Sequence, residues 1–244
     1  VTSEEIGGLA GFGSVNLQSN VLTIGSSSVS TTYSGSLYGT GGSLVKSGSS
    51  VLTLLGASAY TGGTDLSAGA IRLGSNTAIG TGAVVFRGGT LSSDAAAART
   101  LSNVLTLSGT LTFGDAVANG TLTLGGVTTL NANVAARVAS QTILGGAISG
   151  AFGFTKLGAA ELTLSGANTF TGSLAVNEGV VNLVGSNAVT NTSAVTLDAA
   201  GSLKLSNSEE FASLAGQGQV SLQGNTLTLS GGASTSYVGV LSGA

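Results

Sequence analysis

The sequence predicts an all-β protein, a right-handed parallel β-helix of about 12 coils, and three observations predict it. Glycine supplies 41 of the 244 residues, whereas proline is absent. Short apolar–polar–apolar triplets return along the whole chain, and two longer segments recur at fixed distances. Short strands joined by glycine-rich corners can stack on copies of themselves, which is typical of a solenoid; a β-sandwich needs no repeated unit.

The triplets indicate strands, because a period of two turns successive side chains to opposite faces. Their leucines are expected to face a core and their threonines the solvent; the clearest are Leu22-Thr23-Ile24, Leu52-Thr53-Leu54, Leu105-Thr106-Leu107, Leu122-Thr123-Leu124, Leu162-Thr163-Leu164 and Leu227-Thr228-Leu229. Helical periodicity is nearly absent, so we predict loops at 94–99 and 131–139, with 131–140 as an insertion. At the spacing of stacked strands, the rod is expected to be on the order of 55–60 Å long.

The longer repeats define the domain organisation. Residues 3–13 recur at 208–218, an offset of 205, and residues 46–57 recur at 156–167, an offset of 110. We therefore predict one continuous β-helix over 1–244, with internal units at roughly 1–100, 101–205 and 206–244. Asn168 and Asn177 are expected at corners, where asparagine side chains can bond the backbone of neighbouring coils.

Composition excludes several functions. Without histidine or cysteine the chain has no Ser-His-Asp or Cys-His catalysis and no ordinary zinc site. Seven scattered basic residues and a net charge of −3 argue against a nucleic-acid partner. No apolar run reaches 18 residues, so we expect no direct membrane insertion by this segment. We assign no catalytic, cofactor-binding or metal-ligating residue and no cofactor.

The charged residues nevertheless offer candidates. Lys46 and Lys156 share one repeat position, where we expect a solvated charge beside a glycine turn; a ligand-binding column is the alternative. Glu4-Glu5 recurs as Glu209-Glu210, a pair that would bind calcium only from a loop, since neighbours on a strand point apart. The isolated aspartates, Asp65, Asp94, Asp115 and Asp198, would need to pair within about 5–9.5 Å to cleave a polysaccharide.

Two aromatic pairs also occupy equivalent repeat positions. Tyr60 corresponds to Phe170, and Tyr33 corresponds to Tyr237. A residue of the core or of a corner, repeated with the coil, is the expected role. A surface for stacking sugars is the alternative.

Two segments resemble a known family. Residues 39–75, with Val51-Leu52-Thr53-Leu54 and Tyr60-Thr61-Gly62, and residues 148–186, with Asn168-Thr169-Phe170-Thr171-Gly172, are similar to the passenger-associated β-strand repeat of bacterial autotransporters. The first copy departs from that pattern, with Ser58-Ala59 where Asn-Thr is usual. The resemblance implies a β-helical passenger, exported across the outer membrane to the surface or exterior of a Gram-negative bacterium.

The function expected from the repeats and the resemblance is a non-enzymatic structural or adhesive surface β-helix. The expected partners are neighbouring copies or further repeats of the same protein, and host or surface glycans. One alternative is a self-assembling extracellular filament or surface-layer subunit, because the chain starts and stops at equivalent places in its 205-residue repeat. The other is a polysaccharide-acting β-helix enzyme, which we regard as the weaker alternative.

Overall fold

A computed structural model describes residues 2–185, 187–191 and 193–243. It confirms the predicted fold class, because these residues form a parallel β-solenoid of about 12 coils. Paired residues in neighbouring coils lie 17 to 25 positions apart, as Ser202 with Gln219 and Gly109 with Val134. In the described ranges, no helix is long and apolar enough to cross a membrane.

The strands are short and follow one another closely. In chain order they are β1 (Ser3–Ile6), β2 (Ser14–Asn16), β3 (Val21–Ile24), β4 (Thr31–Tyr33), β5 (Ser36–Gly39), β6 (Ser43–Lys46), β7 (Val51–Leu54), β8 (Ala59–Tyr60), β9 (Thr64–Leu66), β10 (Ala70–Leu73), β11 (Val84–Phe86), β12 (Gly89–Ser93), β13 (Arg99–Leu101), β14 (Leu105–Phe113), β15 (Leu122–Leu124), β16 (Thr128–Val138), β17 (Thr142–Leu144), β18 (Ile148–Ser149), β19 (Phe154–Leu157), β20 (Leu162–Leu164), β21 (Leu174–Leu183), β22 (Ala194–Leu205), β23 (Glu209–Phe211), β24 (Ser213–Gly216), β25 (Gln219–Ser221), β26 (Leu227–Leu229) and β27 (Val240–Ser242).

Each coil has three faces, and each face stacks on the same face of the next coil. Face 1 contains β1, β3, β6, β9, β11, the starts of β14 and β16, β18, β23 and β26. Face 2 contains β4, β7, β10, β12, the ends of β14 and β16, β19, the starts of β21 and β22, and β24. Face 3 contains β2, β5, β8, β13, β15, β17, β20, the ends of β21 and β22, β25 and β27.

The apolar residues of five of the six triplets named above fill the interior as predicted. The prediction is wrong for the last triplet, because Leu229 in the end coil is 52% exposed, and for Thr163, which is buried rather than in solvent. In β3, β7, β15 and β17 the side chains alternate between buried and partly exposed positions. Leu52 stacks on Ile71, which stacks on Leu91, so each aliphatic side chain is covered by its counterparts above and below. Burial of one such side chain contributes roughly 1.5–3 kcal/mol. Phe86 and Phe113 add an edge-to-face contact with ring centroids 5.5 Å apart.

The two repeat offsets have different geometric meanings. Both β1 and β23, which are related by the offset of 205, lie on face 1, ten coils apart. By contrast, β6 lies on face 1, whereas its counterpart at the offset of 110, β19, lies on face 2. The second passenger-like repeat is therefore turned by one face of the rod relative to the first, so equivalent outer residues do not share one surface.

The prediction of a loop at 131–139 is wrong. Strand β16 runs without interruption over Thr128–Val138, and its Val134, Ala136 and Val138 are buried. Asparagine and alanine have low strand propensity, which is why the segment reads as a loop. Pairing with β14 below and with β18 and β19 above supplies the backbone bonds and the burial that override this propensity. The extra residues of this coil lie at the corner, where the register shifts between Leu107 and Gly109.

Candidate functional site

The two equivalent lysines are buried, and the expectation of solvated charges is wrong. Lys46 stacks in the interior between Ile24 and Leu66 and has no exposed surface. Lys156 stacks between Ala136 and Val176 and is buried as completely. Burial of these lysines is tolerated because the corner that follows each of them presents carbonyl oxygens toward the interior. One ammonium group can donate hydrogen bonds to several of these oxygens.

Both ammonium groups bond the backbone of a glycine corner. Nζ of Lys46 donates to the carbonyls of Ser47 and Gly48, the second at 3.1 Å. Nζ of Lys156 donates to the carbonyls of Gly158 and, at 2.8 Å, Glu178. Gly48 and Gly158 have φ of 66° and 82°, which turn these carbonyls toward the amine. The lysines therefore act as internal caps of corners and offer no amine to an external ligand.

Burial lowers the pKa of Lys156 to about 8, and the carboxylate of Glu178 offsets part of this effect. The unfolded chain holds the proton up to its ordinary pKa of about 10.4. Between about pH 8 and pH 10.5 the unfolded state therefore binds more protons than the folded state, so stability rises with pH. The rise is at most about 3 kcal/mol, from about 1.36 kcal/mol for each pKa unit.

We expect Lys156→Met to reduce the alkaline rise in the free energy of unfolding by the contribution of Lys156; the buried Lys46, whose pKa is also lowered by burial, keeps part of the rise. Urea unfolding at pH 8 and pH 10.5 measures it. Lys204→Met is the control. Lys204 lies on the outer side of β22, so its substitution should leave the rise in the free energy of unfolding intact. An equal rise in wild type and in Lys156→Met would show that Lys156 does not titrate in the interior.

The acidic pair at 209–210 is divided between the two sides of a strand. Glu209 is buried, whereas Glu210 faces outward and accepts a hydrogen bond from Asn191. This is the arrangement that prevents chelation by adjacent strand residues. Within the described ranges no three acidic side chains come together as metal ligands.

Glu209 continues a column of polar side chains that bond the coil below. Oδ1 of Asn168 accepts from the N–H of Ile148 at 2.8 Å, and Oε1 of Glu209 accepts from the N–H of Ala188 at 3.2 Å. The corner role predicted for Asn168 is thus observed, whereas Asn177 makes no side-chain hydrogen bond within the described part of the chain. Among the described residues, Oε2 of Glu209 has no hydrogen-bond partner, and burial raises the pKa of this carboxyl to about 7, against the opposing effect of the N–H groups of Ala188 and Val189.

Three of the four isolated aspartates form ion pairs with different arginines. Asp115 pairs with Arg72 at 2.8 Å across two coils, Asp65 with Arg87 at 3.0 Å, and Asp94 with Arg99 at 2.8 Å. The N–H of Val117 and the Arg72 guanidinium hold the pKa of Asp115 below its ordinary value. Asp198 is exposed. The carboxylates that a polysaccharide-cleaving site would need therefore already have cationic partners, apart from Asp198.

The equivalent aromatic residues belong to the interior. Tyr60 and Phe170 are fully buried, and Tyr33 is 3% exposed. The hydroxyl of Tyr60 bonds Oγ1 of Thr64 at 2.6 Å, whereas Phe170, which has no hydroxyl, is matched at the same offset by Leu174. The hydroxyls of Tyr33 and Tyr237 donate to the carbonyls of Gly13 and Gly218, equivalent positions in the 205-residue repeat. The rings of Tyr33, Tyr60 and Phe170 are therefore not presented for stacking sugars, whereas Tyr237 is partly buried and lines a pocket of the last coils.

An exposed tyrosine that the repeat comparison did not single out lies on the outside of face 3. Tyr38 is 42% exposed and is paired in register with Asn16 below and Ala59 above. These residues line an open groove together with Gln18, Ser19 and Thr40. The sequence signal was present, because Tyr38 follows the inward Leu37 in β5 and must point outward.

The fold and the repeats of this chain are similar to those of β-helical autotransporter passengers. The passenger-associated transport repeat matches residues 44–73 and 154–183 of the chain. The chain is 33% identical over 151 residues to the adhesin BmaC autotransporter of Brucella suis biovar 1 (strain 1330). The matched part is 62% of this chain, and it spans 4% of the length of that protein. No solved structure matches the chain. The resemblance to a passenger with passenger-associated repeats is confirmed.

Proposed function

We propose that this chain is a non-enzymatic, structural and adhesive segment of an autotransporter-like passenger at the surface or exterior of a Gram-negative bacterium. The observation that carries this proposal is the use of its charged groups. The buried lysines cap corners, Glu209 bonds a neighbouring coil, and Asp65 and Asp115 form ion pairs with arginines of other coils. A chain that uses its charges to hold coils together is suited to a rigid spacer that presents a surface.

The relative supports the adhesive part of the proposal. The adhesin BmaC autotransporter is named as an adhesin, and this chain matches a short part of it. In a passenger many times longer than the matched part, a 12-coil segment would extend the rod and add to the outer surface available for contacts.

Electron microscopy and cell binding test the proposal. Negative-stain images over a concentration series are expected to show discrete rods on the order of 55–60 Å long, from about 12 coils at the strand spacing. Beads coated with the folded chain are expected to bind host cells more than beads coated with heat-denatured chain. Filaments of constant width that lengthen with concentration would make assembly the function instead. Release of reducing ends from polysaccharides by the purified chain would overturn the non-enzymatic proposal.

A further inference from the structure

The groove at Tyr38 is built from uncharged polar groups around one aromatic ring. Its seven lining residues come from the first three coils on face 3 and include no charged side chain. Asn16 and Gln18 supply amides, Ser19 and Thr40 supply hydroxyls, and Ala59 leaves open the space above the ring. An open groove of about 660 Å³ with this lining favours a ligand that is neutral and rich in hydroxyl groups.

The hydrogen-bonding groups of the groove are largely unused by the fold. Oδ1 of Asn16 accepts from the N–H of Gln18 at 2.9 Å, which fixes the turn at Gln18, where φ is 53°. Among the described residues, the side-chain amide of Gln18 and the hydroxyls of Ser19, Tyr38 and Thr40 have no protein partner. These donors and acceptors are available to a ligand that replaces their water.

The last coils repeat the backbone of this groove, but the ring is absent there and Gly224 replaces Ser19. At the offset of 205, Gln223 repeats the turn of Gln18, with φ of 50°. Ser221 pairs with Ser242 in the last coils as Asn16 pairs with Tyr38 in the first. Ser242 therefore occupies the place of Tyr38 on an equivalent backbone, so the ring is an addition that the coil itself does not require.

We propose that the Tyr38 groove binds a neutral saccharide, with one face of a sugar ring stacked on Tyr38 and its hydroxyls bonded by Gln18, Ser19 and Thr40. The apolar C–H face of a pyranose fits the face of an aromatic ring, and the rim groups match sugar hydroxyls. The inference rests on the proposed adhesive function and deepens it, because it names the class of ligand and the place where it binds.

Ring-labelled tyrosine NMR of the whole 244-residue chain tests the proposal. The chain has four tyrosines: Tyr33 and Tyr60 are buried, and Tyr237 is partly buried in the last coil, far from the groove in the first three coils. A ligand at the groove should therefore move the Tyr38 signal and leave the other three unchanged. The probes are cellopentaose, chitopentaose, maltopentaose and a linear mannopentaose, each titrated into the millimolar range. An oligogalacturonate pentamer is the anionic comparison. At least one neutral probe is expected to shift Tyr38, and the anionic probe is not.

Four variants separate the ring from the rest of the surface. Tyr38→Ser, which reproduces the counterpart at Ser242, is expected to weaken binding at least about tenfold, and Tyr38→Phe should keep it within about threefold. Ser242→Tyr restores the ring where Gly224 replaces Ser19, so it is expected to bind at least about tenfold more weakly than the Tyr38 groove. Phe12→Ser removes an exposed aromatic side chain that does not line the groove and should leave binding unchanged. Each variant must unfold at the temperature of the wild type; if Tyr38→Ser does not, the titration of the wild type and the affinity of Tyr38→Phe decide.

The saccharide site and the adhesive function are tested by different outcomes. No shift of Tyr38 with any neutral probe, equal loss in Phe12→Ser and Tyr38→Ser, or preference for the anionic pentamer would overturn the saccharide site. If Tyr38→Ser beads still bind cells as the wild type does, and the chain still forms discrete rods, the adhesive function stands without this groove. If neither version binds cells, the adhesive function fails, whatever the NMR titration shows.

Discussion

Replacing Gly172 by alanine is expected to lower the free energy of unfolding by about 3 kcal/mol, which is at the upper end for overpacking a close contact. A β-carbon at Gly172 would overlap the backbone of Phe152 and Gly153 in the preceding coil. The obstacle is main chain, which cannot rotate away as a side chain can. Gly62, the equivalent glycine in the first repeat, likewise faces the backbone of Gly41 and Gly42. The glycine after the shared threonine is therefore needed because stacked coils approach closely there.

Gly232→Ala is the matched control. A β-carbon at Gly232 meets no atom within 4 Å, and its φ lies outside the left-handed region that glycine favours. We expect this change to alter stability by less than about 0.5 kcal/mol. Urea unfolding followed by far-UV circular dichroism measures both variants. If the two midpoints agree, the close approach at Gly172 is not rigid.

Raising the pH from 5 to 8 is expected to lower the stability of the wild-type chain by up to about 3 kcal/mol, and Glu209→Gln is expected to remove this loss. The folded chain holds the proton of Glu209 up to about pH 7, whereas the unfolded chain releases it near pH 4.5. Between these values the folded state binds more protons, so stability falls as the pH rises. The magnitude follows from about 1.36 kcal/mol for each pKa unit.

The structure explains why this carboxyl resists ionisation. Oε2 has no hydrogen-bond partner in the part of the chain that the structure describes, and the residues above and below Glu209 are Leu227 and Ala188, which carry no charge. Glutamine keeps the acceptor for the N–H of Ala188 but cannot ionise. Glu210→Gln, on the outward neighbour, should preserve the full pH dependence. Hydrogen exchange of the Ala188 amide at pH 5 and pH 8 gives a local reading; equal protection at both values would contradict the prediction.

The roles of the polar residues were harder to predict than the fold. Lys46 and Lys156 were correctly recognised as one repeated position, but their solvent exposure was wrong. The sequence does not reveal that a left-handed corner at Gly48 or Gly158 turns carbonyls inward, and those carbonyls make burial of an ammonium group acceptable. The ion pair between Arg72 and Asp115 was equally hidden, because it joins residues two coils apart.

The sequence by itself determined the alternation of leucine and threonine, the repeat offsets and hence a parallel β-helix of about 12 coils. These features are local or periodic, and a period of two leaves little choice of which face is buried. Only the tertiary structure decided which polar groups are bonded at the corners and that Thr128–Val138 forms a strand. It also decided that the second passenger-like repeat is rotated by one face of the rod relative to the first. Coil lengths vary between 17 and 25 residues, and this variation sets which side chains meet. Whether a polar group is exposed, buried or paired therefore depends on a neighbour about 20 residues away, which no local pattern records.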